Sequence, residues 1–323
     1  MSKKTITKFS SFVIFFALVS LIFSGCHPAF PTTSENSANK IVSPDWAQPK
    51  IAGRIESNEI IESSGIAASR CQADVFWTHN DSGDGAFIFA INSAGKDLGT
   101  WRVSGANNID WEDIAAFKDT NGTCFLYIGE IGNNKLKRNE FVVYRVREPQ
   151  ISAENRSSSK KDPLTTENAE AIKFQYPGEL HDAETLMVHP QTADIYVLTK
   201  QIGEASVVYK LPANYQKERS NKLEKIAEIT VPSVPNGLLT GGDISPDGKR
   251  IVICDYFSAY EIVLPKDAKN FDEIWKVSPA EVSLGEREQG EAVCYSADGN
   301  SIFATSEKKN SPVIEVKRQK PAR

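Results

Sequence analysis

Asp110-Trp-Glu-Asp-Ile-Ala-Ala116, the turn Thr120-Asn-Gly122, Phe125-Leu-Tyr-Ile128, Val142-Val-Tyr-Arg-Val146 and Ile172-Lys-Phe-Gln-Tyr176 make one unit of four short apolar segments. The segments are rich in β-branched and aromatic residues and are separated by turn or polar residues, which reads as strands rather than helix. The opening pattern recurs as Glu62-Ser-Ser-Gly-Ile-Ala-Ala68, Asp182-Ala-Glu-Thr-Leu-Met-Val188, Gly241-Gly-Asp-Ile-Ser245 and Gly290-Glu-Ala-Val-Cys294. Turns such as Pro246-Asp-Gly248 and Ala297-Asp-Gly299 then lead into second strands at 75–78, 195–198, 251–254 and 302–305.

Third strands follow at 87–91, 207–211, 260–264 and 313–316, and fourth strands at 99–103, 225–230 and 273–277. The last unit has no room for a fourth strand, but Lys50-Ile-Ala-Gly-Arg-Ile55 matches the pattern of Lys225-Ile-Ala-Glu-Ile229. An all-β, five-bladed β-propeller closed by that N-terminal strand satisfies all of this, because closure removes exposed sheet edges. A sixth blade would have to lie in the long interval between Glu112 and Glu184. The stretch 151–162 within it has the composition of a loop, so five is the expected number.

In an up-and-down blade, the loop entering the innermost strand and the loop after the second strand open on one face. Those loops carry Glu62, Asp110, Glu112, Asp113, His181, Asp182, Glu184, Asp243, Glu288 and Glu291, then His79, Asp81, Glu130, Lys200, Asp255 and Glu307. The opposite face receives plain turns. Crowded carboxylates raise one another's pKa unless a cation compensates, and hard oxygen donors in this number suit Ca²⁺. Glu112, Glu184, Glu291 and Asp243 are the expected metal ligands. His79, Asp81, Asp110, Glu130, His181, Asp182, Lys200, Asp255 and Glu307 are the expected ligand-binding residues. Any one of these acids could instead hold backbone amides of neighbouring loops. His181 beside Asp182 has the form of an acid–base pair, but no Ser or Cys stands in a nucleophile turn, so a solvated surface is the plainer reading.

Cys71 and Cys124 fall near the first turns of neighbouring units, where a disulfide is plausible, whereas Cys254 and Cys294 lie inside apolar strands as packed thiols. Trp77, Trp101, Trp111 and Trp275 read as core.

The N-terminus is of another kind. Lys3, Lys4 and Lys8 precede an apolar run from Phe12 to Phe23, too short to span a bilayer but suited to a signal peptide. Ser24-Gly25-Cys26 resembles the lipobox of bacterial lipoproteins, with Phe23 where Leu is usual. The resemblance implies cleavage after residue 25, acylation of Cys26 and residence in the cell envelope. His27 after the cysteine implies the outer membrane in a Gram-negative cell. Residues 26–49, rich in Pro, Ser, Thr and Asn, read as a flexible tether, and 50–323 as a single domain. Removing residues 1–25 takes away three lysines and no acid, so the formal net charge moves from −5 to −8. An acidic domain of this kind is no candidate for nucleic acid. A monomer is expected.

Trp77-Thr-His-Asn-Asp-Ser-Gly83, Asp110-Trp-Glu-Asp-Ile-Ala115, Tyr127-Ile-Gly-Glu-Ile-Gly-Asn-Asn134 and Ser245-Pro-Asp-Gly248 resemble segments of a widespread group of exported bacterial propellers, described as propeller-repeat or phytase-like. The resemblance covers roughly residues 60–317. It implies the fold and the envelope location. It implies divalent-metal binding at the mouth less directly, since the catalytic motifs of phytases and gluconolactonases are not matched residue by residue. The expected function is a membrane-anchored protein binding a small molecule or an envelope protein partner at an acidic, calcium-binding mouth. The alternatives are a metal-dependent hydrolase of a phosphoester or lactone, and a scaffold.

Overall fold

The computed structural model describes residues 42–233 and 235–319; Cys26 and the signal segment 1–25 lie outside them. Five antiparallel sheets follow one another along the chain. Blade 1 contains Ser63–Ala68, Phe76–Asn80, Phe87–Ile91 and Asp97–Ser104, and blade 2 contains Trp111–Lys118, Cys124–Glu130, Phe141–Arg147 and Glu170–Gln175. Blade 3 contains Ala183–Val188, Ile195–Thr199, Ser206–Leu211 and Glu224–Ile229; blade 4 contains Gly241–Ile244, Arg250–Cys254, Ala259–Val263 and Ala280–Val282. Blade 5 contains Gly290–Tyr295, Ser301–Ser306 and Pro312–Lys317, and its fourth strand is Lys50–Arg54, paired antiparallel to Pro312–Lys317. The fold is a five-bladed β-propeller closed by its N-terminal strand.

The apolar residues explain why the blades form a ring. They gather into five clusters, each filled from two consecutive blades. Trp77, Trp101 and Trp111 lie between blades 1 and 2, and Phe141, Phe174 and Leu186 between blades 2 and 3. Tyr196, Trp275 and Ile253 lie between blades 3 and 4. Ile66, Phe89 and Phe303 join blade 5 back to blade 1. The inner strands of each blade therefore have two buried faces, as in Ser63–Ala68, Ala183–Val188 and Gly290–Tyr295, whereas outer strands such as Lys50–Arg54 are largely exposed.

Two blades are wider than four strands. Leu164–Asn168 adds in parallel to Asp97–Ser104, and Asn221–Lys222 in parallel to Glu170–Gln175. The stretch 151–162 holds a short 3₁₀ helix at Ala153–Ser157 and no extra blade.

One predicted strand is wrong. Residues 273–277 do not form the fourth strand of blade 4: Phe271–Lys276 is a 3₁₀ helix, and Ala280–Val282 takes the strand position. Phe271, Ile274 and Val277 recur every three residues, the period of a 3₁₀ helix, whose i and i+3 side chains share a face. That face packs on the core between blades 3 and 4.

The tether expected to run to residue 49 gives way to structure by residue 42. Ser43 and Ala47 donate backbone hydrogen bonds to Glu281 and Lys317, and Trp46 is buried. The Trp46 indole donates to Glu261 Oε2 at 2.9 Å, where Tyr295 and Arg318 also donate to the carboxylate. A single tryptophan docks this segment within an otherwise polar tract.

On the face opposite the mouth, a disulfide joins Cys71 to Cys124 with Cα atoms 6.1 Å apart, linking the first turns of blades 1 and 2. Cys254 and Cys294 are buried thiols. Among the described residues no helix is long and apolar enough to cross a membrane.

Candidate functional site

The mouth is built where the innermost strands begin. In blades 1, 2, 3 and 5 the pairing of first and second strands skips one residue there: register shifts fall between Ser63 and Gly65, Trp111 and Asp113, Ala183 and Thr185, and Gly290 and Ala292. The skipped residues are Ser64, Glu112, Glu184 and Glu291. A bulge frees its residue from the ladder and re-aims the side chain. Blade 4 pairs without a shift, so Asp243 does not belong to this column. It lies further along its strand, ion-paired with Arg70 at 3.0 Å and accepting the Tyr295 amide at 3.0 Å. Of the four expected metal ligands, Glu112, Glu184 and Glu291 share this position and Asp243 does not.

Those three differ in their partners. Glu184 is ion-paired with Lys200, whose ammonium also donates to the Tyr256 hydroxyl at 2.6 Å. Burial raises the Glu184 pKa and Lys200 opposes that rise, leaving it at about 7. Glu291 accepts from the Gln289 amide at 3.2 Å, and the same amide donates to Glu307 at 2.6 Å. Burial first, then Glu184, lift the Glu291 carboxyl well above the usual range. Glu112 is 5% exposed, and no described residue donates a hydrogen bond to its carboxylate or forms an ion pair with it. Burial, then Glu184, Asp81, Asp110 and Asp182, push its pKa well up.

Asp81 and Asp110 lie beside Glu112: one carboxylate oxygen from each of the three falls within 4.8 Å of the others. Asp81 accepts the Ser82 amide at 2.5 Å. Burial raises the Asp110 pKa to about 6, with Asp81, Asp182 and Glu130 adding to the effect. Asp182 accepts the Asn133 amide at 2.6 Å. Lys200 is the cation that Asp81, Asp182, Glu291 and Glu307 all sense.

Several expected ligand-binding residues serve the fold instead. Glu130 accepts the amides of Ile109 and Asp110 and pairs with Arg138 at 2.6 Å. Asp255 accepts the amides of Phe257 and Ser258 and the Tyr260 hydroxyl. His79 is wholly buried against Trp111, with its Nδ1 at 3.0 Å from the Asn80 carbonyl. Burial lowers its pKa to about 4, so the ring is neutral. His181 sits at the rim, its Nε2 2.8 Å from the Tyr209 hydroxyl.

Tyr256, expected on a mouth loop, takes a role beside Lys200 that was not expected, and Gln289 is a mouth group that the sequence did not single out. Gly132 is another. A Cβ there would fall 1.9 Å from Glu112 Oε1 and 2.6 Å from Asp110 Oδ2, so the backbone after the second strand of blade 2 closes directly over these carboxylates. Gly132 follows Glu130 and Ile131, and its place within Gly-Glu-Ile-Gly-Asn-Asn was the available signal.

No family model matches the chain, and neither does any curated protein. Among solved structures it is similar to the soluble aldose sugar dehydrogenase of Escherichia coli in its apo form. The TM-score is 0.45 and the identity 7%, over 84% of this chain and 99% of that one.

Proposed function

We propose that this propeller is exported, held in the cell envelope by lipid on Cys26, and binds a positively charged ligand or a protein partner at its acidic mouth. The observation that carries the reading is the imbalance of charge there. Asp81, Asp110, Glu112, Asp182, Glu184, Glu291 and Glu307 converge from four blades, and Lys200 is the buried ammonium among them, already paired with Glu184. Such a site lowers its own repulsion by taking up positive charge. Two further cations from the loops of blade 5 are engaged elsewhere: Lys308 pairs with Glu288 at the surface, and Arg287 donates to the Asp255 carbonyl. This favours binding over hydrolysis of a phosphoester, whose substrate needs free basic groups.

Calorimetric titration of the full chain with spermidine tests the mouth. Binding that weakens with salt, and falls at least tenfold in Asp182→Asn/Glu307→Gln, is expected; equal binding by this variant and the parent would overturn the reading. Metabolic labelling with an alkynyl fatty acid tests the anchor. Label lost in Cys26→Ser is expected, and label retained would refute acylation at that residue.

A further inference from the structure

We infer that Asp81, Asp110 and Glu112 form a site for one divalent hard cation of the Ca²⁺ type, at the seam between blades 1 and 2. The inference deepens, and rests on, the reading of the acidic mouth as the binding face.

Three independent features of this corner agree. The first is spacing. Two oxygens on opposite sides of a Ca²⁺ ion, each at 2.3–2.6 Å, lie about 4.6–5.2 Å apart. The carboxylate oxygens of Asp81, Asp110 and Glu112 lie within 4.8 Å of one another, so one ion can touch all three without rebuilding the loops. The second feature is unmet demand. A buried carboxylate is normally hydrogen-bonded or paired, and the other buried mouth acids obey that rule. Glu184 has Lys200, Glu291 has Gln289, and Glu130 has two amides and Arg138. Glu112, 5% exposed, accepts nothing from the described residues through its carboxylate; the half-buried Asp110 beside it accepts nothing through its own either. The third feature is the cradle. Gly132 brings backbone so close to Glu112 Oε1 and Asp110 Oδ2 that any side chain would occupy the carboxylates' own positions.

The donors are all carboxylate oxygens, which suits Ca²⁺ or Mg²⁺ rather than a soft ion. Three carboxylates do not fill a Ca²⁺ shell, so water or a ligand's oxygen atoms complete it, and the bound ion lies open to the mouth. The ligand set differs from the expected metal ligands Glu112, Glu184, Glu291 and Asp243: of those four acids only Glu112 is available, and its companions come from blade 1 and from its own entering loop.

The experiment uses the full chain, stripped with EDTA and exchanged into chelator-free buffer, titrated calorimetrically with CaCl₂ and with MgCl₂ and followed by thermal unfolding. One Ca²⁺ per chain and a rise in melting temperature with Ca²⁺ are expected. Glu112→Gln should weaken Ca²⁺ binding at least tenfold while leaving the cation-free melting temperature unchanged or higher, because it removes a repelling charge that makes no hydrogen bond. A merely structural Glu112 would give the opposite, a lower melting temperature without the ion. Asp81→Asn, whose carboxylate is less buried, gives a second reading should Glu112→Gln fold poorly. Glu167→Gln, at an exposed outer-strand position, controls for loss of one charge and should bind as the parent does. Neither heat nor a melting shift at millimolar Ca²⁺ or Mg²⁺, or parent-like binding by both mouth variants, would overturn the site. Spermidine binding that survives such a result would show that the mouth reading stands without the cation.

Discussion

One oxygen of Asp113, in the innermost strand of blade 2, accepts the amide of Gly242 in blade 4 at 3.2 Å, across the axis of the ring. The same oxygen accepts the Leu186 amide of blade 3 at 3.0 Å, while the other takes the Asp113 neighbour's amide, Ile114, at 2.8 Å. Inner strands present edge amides to the axis with no strand beyond to pair them. One fully buried carboxylate collects them from three blades. Asp113→Ala would leave two inter-blade amides unpaired and is expected to cost about 3 kcal/mol or more. Asp113→Asn, which keeps an acceptor oxygen, should cost less. Denaturant unfolding monitored by tryptophan fluorescence measures both, and an alanine variant as stable as the parent would show that this knot contributes nothing.

The Cys71–Cys124 disulfide closes a sequence separation of 53 residues. By the chain-entropy account a loop of that length contributes about 4 kcal/mol. Cys71→Ser/Cys124→Ser is expected to fold with a markedly lower denaturation midpoint. Treating the parent with reductant under denaturing conditions should reproduce that midpoint.

Stability should fall as pH rises. Glu184 has its folded pKa raised from 4.5 to about 7, and Glu291 and Glu307 are raised too, all chiefly by burial. Below pH 4.5 both folded and unfolded chains hold these protons. Between 4.5 and about 7 the unfolded chain releases them first, so stability is lost across that window. The groups facing Glu291 include Glu184, Lys200 and Glu307. Glu291→Gln should raise the cation-free melting temperature at pH 8 by roughly 2–4 °C, the shift that about 1 kcal/mol produces in a chain of this size. It should have little effect at pH 4.5. An equal change at both values would mean that the charge is not what matters.

Gly132 offers a test of coupling. Its backbone is not in a left-handed conformation, and the nearest atoms a Cβ would meet are the side-chain ends of Glu112 and Asp110 rather than backbone. Gly132→Ala is therefore expected to fold, with a loss of about 1–2 kcal/mol, while Ca²⁺ affinity drops at least tenfold as the carboxylates are displaced. Adding Glu112→Ala should restore most of the lost stability and none of the affinity.

Much of the site's location was legible because blade order and strand alternation assign loops to faces. The individual roles were not. Asp243 read as a metal ligand because its strand opens with the same pattern, yet blade 4 lacks the bulge found at Glu112, Glu184 and Glu291. Glu130 and Asp255 read as ligand groups because they follow second strands. The amides and hydroxyl that engage them belong to neighbouring turns, and such turns form only once the blade exists. Residues 273–277 read as a strand, although the same apolar spacing fits a 3₁₀ helix, and packing against blade 3 selected the helix.

The sequence by itself determined the five repeats, the closure by Lys50–Arg54 and the gathering of acids on one face, because turn residues and strand patterning act over a few neighbours. Only the tertiary structure decided which of those acids remain unengaged. The donors that engage them come from distant parts of the chain: the Arg70 guanidinium for Asp243, the Asn133 amide for Asp182, the Gly242 amide for Asp113. Among the described residues, the Glu112 and Asp110 carboxylates beneath Gly132 are left without such donors, with Asp81, held by the Ser82 amide, beside them.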